Sequence, residues 1–196
     1  MRWIRHKPKE DARPPIERLW HTLGELFEDK DALYAGPDVG LDDLSGADVL
    51  RIWNYLSGGA KRPDSDLIQL WDLGHEAVAD APPLTEAAAL VASGEFSYMM
   101  VALDGVESCG VLLPELRVEL WPDAVSMYWW VGTGSWDAET VGALADLLGQ
   151  LQAVVPDARL AYEDRDDVEF WEPVNSYVAT MRRVREGSSS RPDSIA

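Results

Sequence analysis

The chain has 196 residues, of which 46% are hydrophobic and 27% are charged, a composition typical of a globular protein. Its single cysteine, Cys109, excludes an intramolecular disulfide and a cysteine-rich zinc site. No apolar run approaches the roughly 18 residues that a membrane span needs, and the N-terminus lacks the apolar core of a signal peptide. We therefore expect a reduced, cytoplasmic protein.

The formal net charge of −18 is distributed unevenly. Basic residues outnumber acidic ones in the two terminal segments, 1–14 and 180–196, so that residues 15–179 carry a net charge of −23. A negative field repels nucleic-acid phosphates and attracts a basic protein. We therefore predict a basic protein partner and no direct nucleic-acid or membrane binding, although acidity that serves only solubility remains an alternative.

Four segments of the first half have apolar residues at helical spacing. The first follows Pro14 and Pro15, and the second follows Ser45, whose spacing to Asp48 fits a capping box. A third is predicted from Pro63 onward, and a short fourth is predicted with Thr85 as its cap. Between the first two, the glycine and proline content of residues 34–40 predicts a loop. The apolar positions of the third helix are Leu67, Leu70, Trp71, Gly74, Ala77 and Val78.

The second half changes to the alternating period of strands. Residues Phe96–Leu103 read as one strand, and Leu116–Trp121 with Ala124–Val131 read as a hairpin around Pro122 and Asp123. Opposed residue numbers then sum to 245, and a slip of one residue would mix the two faces, so the register is specified. One face carries Leu116, Val118, Leu120, Val125, Met127 and Trp129; the other carries Glu115, Arg117, Glu119, Ser126, Tyr128 and Trp130.

After the hairpin we expect a helix capped by Ser135, a strand over Ala158–Tyr162 and a weaker helix over Val174–Val184. The order of elements predicts an α+β fold: a helical N-terminal half packed with a mostly antiparallel sheet that carries a central hairpin and one or two C-terminal helices. The expected organisation is one compact domain, comprising a basic arm (1–13), a helical region (14–93), a sheet-and-helix region (94–185) and a disordered tail (186–196).

No catalytic or metal-binding motif is present in the sequence. The three histidines, His6, His21 and His75, have no second histidine at ligand spacing. Residues Gly132–Gly134 are too short for a dinucleotide fingerprint. Cys109 has no basic neighbour in sequence and reads as a buried or semi-buried structural thiol. We accordingly predict no catalytic residue, no metal and no cofactor.

Two groups of residues are candidates for partner binding. An acidic run with two aromatic residues occupies Glu163–Glu172, either as a solvated loop or as an epitope anchored by Trp171. The second face of the hairpin is rich in the residue types found at interface hot spots; it is either covered by the protein's own helices or free for a partner. The predicted contact residues are Arg117, Glu119, Trp121, Tyr128, Trp130, Glu163, Asp164, Asp166, Asp167, Glu169 and Trp171.

The segment from about Phe96 to Trp171 resembles the immunity proteins of bacterial polymorphic-toxin systems in its layout. The similar parts are the hairpin, the amphipathic helix after it and the strand Leu160–Asp164. The resemblance implies an acidic, cytoplasmic, non-catalytic protein that binds and occludes a toxin domain. The alternatives are a nucleic-acid-mimicking inhibitor of the anti-restriction type, an enzyme that uses carboxylates in a cleft, and a scaffold component.

Overall fold

A computed structural model describes residues 13–27, 39–58, 60, 69–72, 74, 82–130, 135–162 and 168–189; for 162, 168–169 and 186–189 it describes the backbone. The helices are α1 (Pro15–Leu23), α2 (Gly46–Ser57), α3 (Leu84–Ala92), α4 (Ala138–Val154) and α5 (Val168–Ser189). The strands are β1 (Val39–Asp42), β2 (Gln69–Trp71), β3 (Tyr98–Leu103), β4 (Glu107–Ser108), β5 (Val111–Leu112), β6 (Leu116–Leu120), β7 (Val125–Trp129) and β8 (Arg159–Tyr162). The predicted α+β class is confirmed.

Within the described ranges, six strands form the main sheet in the order β2-β3-β6-β7-β1-β8, and all neighbours are antiparallel. The β6–β7 hairpin has the predicted register, with Leu116 opposite Trp129 and Leu120 opposite Val125. The N–H of Trp121 donates to the carbonyl of Ala124 at 2.9 Å and closes the four-residue loop. The predicted Glu115–Trp130 pair lies outside the paired residues of these two strands. The hairpin β4–β5 stands apart as a separate two-stranded sheet.

One face of the sheet and the five helices of the described residues share a single hydrophobic core. The inward side chains of the hairpin, such as Val118 and Met127, are completely buried. Helix α4 is buried at every residue from Val141 to Gly149, because it contacts α1, α2, α5 and the β4–β5 hairpin. Outward side chains such as Met100 and Tyr128 are not part of this core, so the two faces of the sheet have different environments.

The predicted third helix is wrong where the structure describes it. Residues Gln69–Trp71 form the edge strand β2, in which Leu70 lies opposite Met99 and is fully buried. Pairing with β3 overrides the apparent helical spacing, because three residues are too few to distinguish a period of 3.6 from a period of 2. Of the other predicted positions, Gly74 lies in a turn, whereas Leu67, Ala77 and Val78 lie outside the described residues.

The loop predicted over residues 34–40 is also wrong at its end. Val39 and Gly40 begin β1, which fills the gap between β7 and β8. Glycine disfavours strands, but here it lies between the small residues Ser126 and Ala161 of the neighbouring strands. The hydrogen-bond ladders on both sides therefore hold the strand together despite its composition. Residues 34–38 lie outside the described part of the chain.

The predicted caps of α2 and α4 have different outcomes. Ser45 caps α2 and forms the predicted capping box with Asp48. The predicted Ser135 cap of α4 is wrong, because Asp137 occupies that position. The N–H of Thr140 donates to the Asp137 carboxylate at 2.9 Å, and the Thr140 hydroxyl accepts from the Asp137 N–H at 2.8 Å. This reciprocal pair satisfies two backbone groups at the helix start.

The ends of α3 and α5 also differ from the prediction. Helix α3 begins at Leu84 after Pro83, so Thr85 lies inside its first turn and is not the cap. Helix α5 begins six residues before Val174 and continues to Ser189, which extends it into the segment predicted as a tail. No helix among the described residues is long and apolar enough to cross a membrane.

Candidate functional site

The side of the main sheet outside the core carries most of the described residues predicted for partner contact. Its two most exposed aromatic side chains are Trp121 and Trp130, at 39% and 37% exposure. The alternative in which the protein's own helices bury these two indoles is therefore wrong. We call this side the outer face and define it by eight side chains: Trp71, Tyr98, Met100, Arg117, Glu119, Trp121, Tyr128 and Trp130.

Three aromatic rings form a continuous row across one end of the outer face. The ring centroids of Trp71 and Tyr98 are 4.6 Å apart, and those of Tyr98 and Trp121 are 4.4 Å apart. The ring planes are tilted by 41° and 38°. Both distances lie close to the lower limit of about 4.5 Å for aromatic pairs. We call this row the aromatic ladder. Adjacent strands hold it in place, since Trp71 lies on β2, Tyr98 lies on β3 and Trp121 directly follows β6.

Two members of the ladder were missed by the sequence analysis. The sequence pattern places Trp71 in a helix, whereas its true position depends on the pairing of β2 with β3. Tyr98 lies within the predicted strand Phe96–Leu103, where alternation puts it on the face opposite Met99. That alternation was a usable signal for Tyr98, whereas no local signal identified Trp71.

The other end of the outer face contains the protein's own cationic side chain, Arg117. The Arg117 Nη2 atom is 3.0 Å from Oε1 of Glu115, and the guanidinium carbon lies 5.9 Å from the centre of the Trp130 ring. This arrangement combines an ion pair with a cation–π contact. Between the two ends, the Tyr128 hydroxyl lies 3.0 Å from the sulfur of Met100.

Glu119 lies on β6 between these two groups. It stands opposite Met100 on one side and Ser126 on the other, and its side chain is half-buried. Its carboxylate forms neither an ion pair nor a hydrogen bond with any other described residue. A partly desolvated carboxylate without a neighbouring cation is stabilised when a cation binds beside it.

The acidic run does not form the predicted epitope where it is described. Trp171 is only 6% exposed and meets Phe170 edge-on in the core, so its predicted role as a partner anchor is wrong. The physical reason is that α5 starts at Val168, which places Phe170, Trp171 and Val174 on one buried stripe. Glu169 lies in this helix, and residues 163–167, with Glu163, Asp164, Asp166 and Asp167, lie outside the described residues.

The prediction of a buried or semi-buried Cys109 is wrong as well. Cys109 is exposed at the tip of the β4–β5 hairpin, where it and Gly110 have φ values of 53° and 82°. Two positive φ values are typical of a type I′ turn. Arg185 of α5 donates to the Cys109 sulfur at 3.0 Å and to the buried Asp146 carboxylate at 3.2 Å.

Arg185, Cys109 and Asp146 form a polar cluster that joins α5, the β4–β5 hairpin and α4. The hydrogen bond to Cys109 and the charge of Asp146 raise the pKa of Arg185. Burial, together with the nearby charge of Asp146, raises the pKa of Tyr177 to about 12. The cluster fastens α5 to α4 and to the β4–β5 hairpin, which is a structural role.

A groove of about 570 Å³ lies between α1 and α5. Glu172 is the one carboxylate among its described lining residues, so the paired carboxylates that the enzyme alternative requires do not meet here. No three histidine, cysteine or acidic side chains of the described residues gather as a metal site. His21 is exposed on α1; His6, His75 and Gly132–Gly134 lie outside the described ranges. The outer face is therefore the better candidate site.

Comparisons with known proteins add little to this picture. No family model and no curated protein matches the sequence. Among solved structures, the chain is similar to one chain of the crystal structure of the toxic C-terminal tip of CdiA from Pseudomonas aeruginosa in complex with immune protein. The TM-score is 0.43 and the identity is 10%, over 62% of this chain and 79% of that chain. The match is weak.

Proposed function

We propose that this chain is a non-catalytic, acidic binding protein that occludes a basic protein through its outer face. The partner we propose is a toxin or effector domain, which would make the chain an immunity protein. The observation that carries the proposal is the exposure of Trp121 and Trp130 on a sheet face that lies outside the core of a chain with a net charge of −18.

The two exposed indoles supply a source of binding energy. Each leaves more than a third of its surface in contact with water, which is on the order of 100 Å² of a large aromatic side chain. Covering that area is worth about 2 kcal/mol for each ring. Tryptophan and arginine are also enriched among the few residues that dominate interface energetics.

The charge of the molecule supplies the choice of partner. The 35 acidic residues outnumber the 17 basic residues by two to one. Long-range attraction then accelerates the encounter with a cationic surface and disfavours an acidic one. The aromatic rings of the outer face would stabilise the complex after the encounter, so charge governs association and the rings govern dissociation.

The proposal is tested by measuring binding kinetics with purified toxin domains encoded beside the gene. We expect one basic domain to bind, with an association rate that falls at least about tenfold between about 20 mM and about 500 mM salt, because screening shortens the range of attraction. An acidic domain of similar size serves as the control and should not bind. Absence of binding by every domain, or an association rate that does not change with salt, would contradict the proposal.

A further inference from the structure

Each end of the outer face has a carboxylate and an exposed indole, but among the described residues only one end also has a guanidinium group. At one end, Glu115, Arg117 and Trp130 place a carboxylate, a guanidinium and an exposed indole together. At the other end, Glu119 and Trp121 repeat the carboxylate and the exposed indole two residues apart on the same face of β6 and its loop. No described cation accompanies this second pair.

From this difference we infer that the aromatic ladder and Glu119 form a subsite for an arginine side chain of the binding partner. The inference rests on the proposed function for the existence of a partner, and on the geometry of the ladder for the chemistry. The guanidinium would stack on the exposed ring of Trp121 and pair with the carboxylate of Glu119, as Arg117 does with Trp130 and Glu115.

The geometry of the ladder favours a planar cation. Trp121 is fixed from one side by Tyr98, whose ring centroid is 4.4 Å away, and Trp71 supports Tyr98 in turn. A ring held in this way loses little freedom when a ligand stacks on it. Arginine stacks on aromatic faces and bonds carboxylates in a fork, whereas lysine presents a compact, strongly hydrated charge. Arginine is therefore the expected occupant.

The local charges are consistent with this occupant. Glu119 has no ion pair among the described residues, and the exposed Asp123 follows Trp121 by two residues in the hairpin loop. Arg117, the nearest described cation on β6, is already held by Glu115 and Trp130. A cation supplied by a partner would compensate the negative charge at this end of the face.

The subsite can be tested without a partner by following indole N–H signals in NMR spectra. Three capped tripeptides serve as probes, with arginine, lysine or citrulline as the central residue; citrulline keeps the shape of arginine and removes its charge. The W121F variant identifies the Trp121 signal. We expect the arginine peptide to shift this signal selectively, with lysine about two- to fivefold weaker and citrulline without effect, the size typical of an exposed cation–π contact.

Variants complete the test. E119Q should weaken the arginine response about two- to fivefold, because it removes an ion pair. E107Q, which removes an exposed carboxylate on β4 away from the outer face, should leave the response unchanged. Equal responses to arginine and citrulline, or an arginine response unaffected by E119Q, would overturn the subsite. That failure is distinct from failure of the proposed function, which is decided by whether a basic domain binds.

Discussion

At the scale of single residues, adjacent tryptophans have opposite roles because side chains alternate along a strand. Trp129 is fully buried and stacks on Phe27, with ring centroids 5.0 Å apart and planes inclined by 6°. Its neighbour Trp130 points to the outer face, as does Trp121 at the end of β6. Burial, not residue type, therefore decides whether a tryptophan stabilises the fold or is available for binding.

The first prediction compares a buried with an exposed tryptophan. Trp129→Ala should lower the free energy of unfolding by about 3–5 kcal/mol, because it leaves a cavity in the core. Trp121→Ala should lower it by about 1 kcal/mol, the value of its contact with Tyr98. Urea denaturation of the two variants measures both effects, and equal losses would show that the outer face is part of the core.

A second prediction concerns alkaline pH. The pKa of Tyr177 is raised to about 12 in the folded protein, mainly by burial, above the ordinary value of about 10 in the unfolded chain. Its contribution to stability is therefore complete below about pH 10 and is lost as the pH rises towards 12. Tyr177→Phe cannot ionise at this position and should lose less stability over that interval.

The measurement is the urea midpoint of wild type and Tyr177→Phe at pH 8 and at pH 11. The difference between the two proteins at pH 8 is the control, because the phenol is neutral there in both the folded and the unfolded state. The prediction is that this difference moves in favour of the variant at pH 11. A parallel loss in both proteins would contradict the assigned effect of burial on Tyr177.

At the scale of elements, the sequence predicted what a long or well-patterned segment determines. The β6–β7 register was predictable because only one pairing keeps the apolar side chains of both strands on one face. The capping box was predictable from the three-residue spacing of Ser45 and Asp48. Strand β2 could not be predicted, because its three residues are held by pairing with β3. The start of α5 could not be predicted, because the carboxylates before and after Phe170 and Trp171 made the segment resemble a solvated loop and not a helix with a buried face.

A third prediction concerns the contact between α4 and α5. A Cβ atom added at Gly149 would lie 2.7 Å and 2.8 Å from the two methyl carbons of Val178. Gly149→Ala gains about 1 kcal/mol of helix propensity but introduces an overlap whose relief costs about 1–3 kcal/mol. We therefore expect a net loss of stability in urea denaturation, although alanine is the better helix former.

The matched background for this variant is Val178→Ala, which removes both obstructing methyl groups. In that background Gly149→Ala should be neutral or stabilising, and the double-mutant cycle should give a coupling between the two sites. An identical effect of Gly149→Ala in both backgrounds would show that the helices do not press against each other at this point.

At the scale of the whole molecule, one core on one side of the sheet leaves the other side to form a surface. Charge and fold class were predictable because they are properties of the whole composition and of the order of elements. The exposure of Trp121 and Trp130 was not predictable, because both faces of the hairpin are rich in large side chains. The set that is covered is decided by the core that the inward face shares with the described helices.

The most direct test of the central claim compares two aromatic residues of similar exposure on different surfaces. Trp121 lies on the outer face, and Tyr55 lies on α2, with exposures of 39% and 42%. The measurement is the dissociation rate of a bound basic domain from the Trp121→Ala and Tyr55→Ala variants. We predict at least about tenfold faster dissociation for Trp121→Ala, as for an interface hot spot, and a wild-type rate for Tyr55→Ala. Equal rates in the two variants would contradict the account.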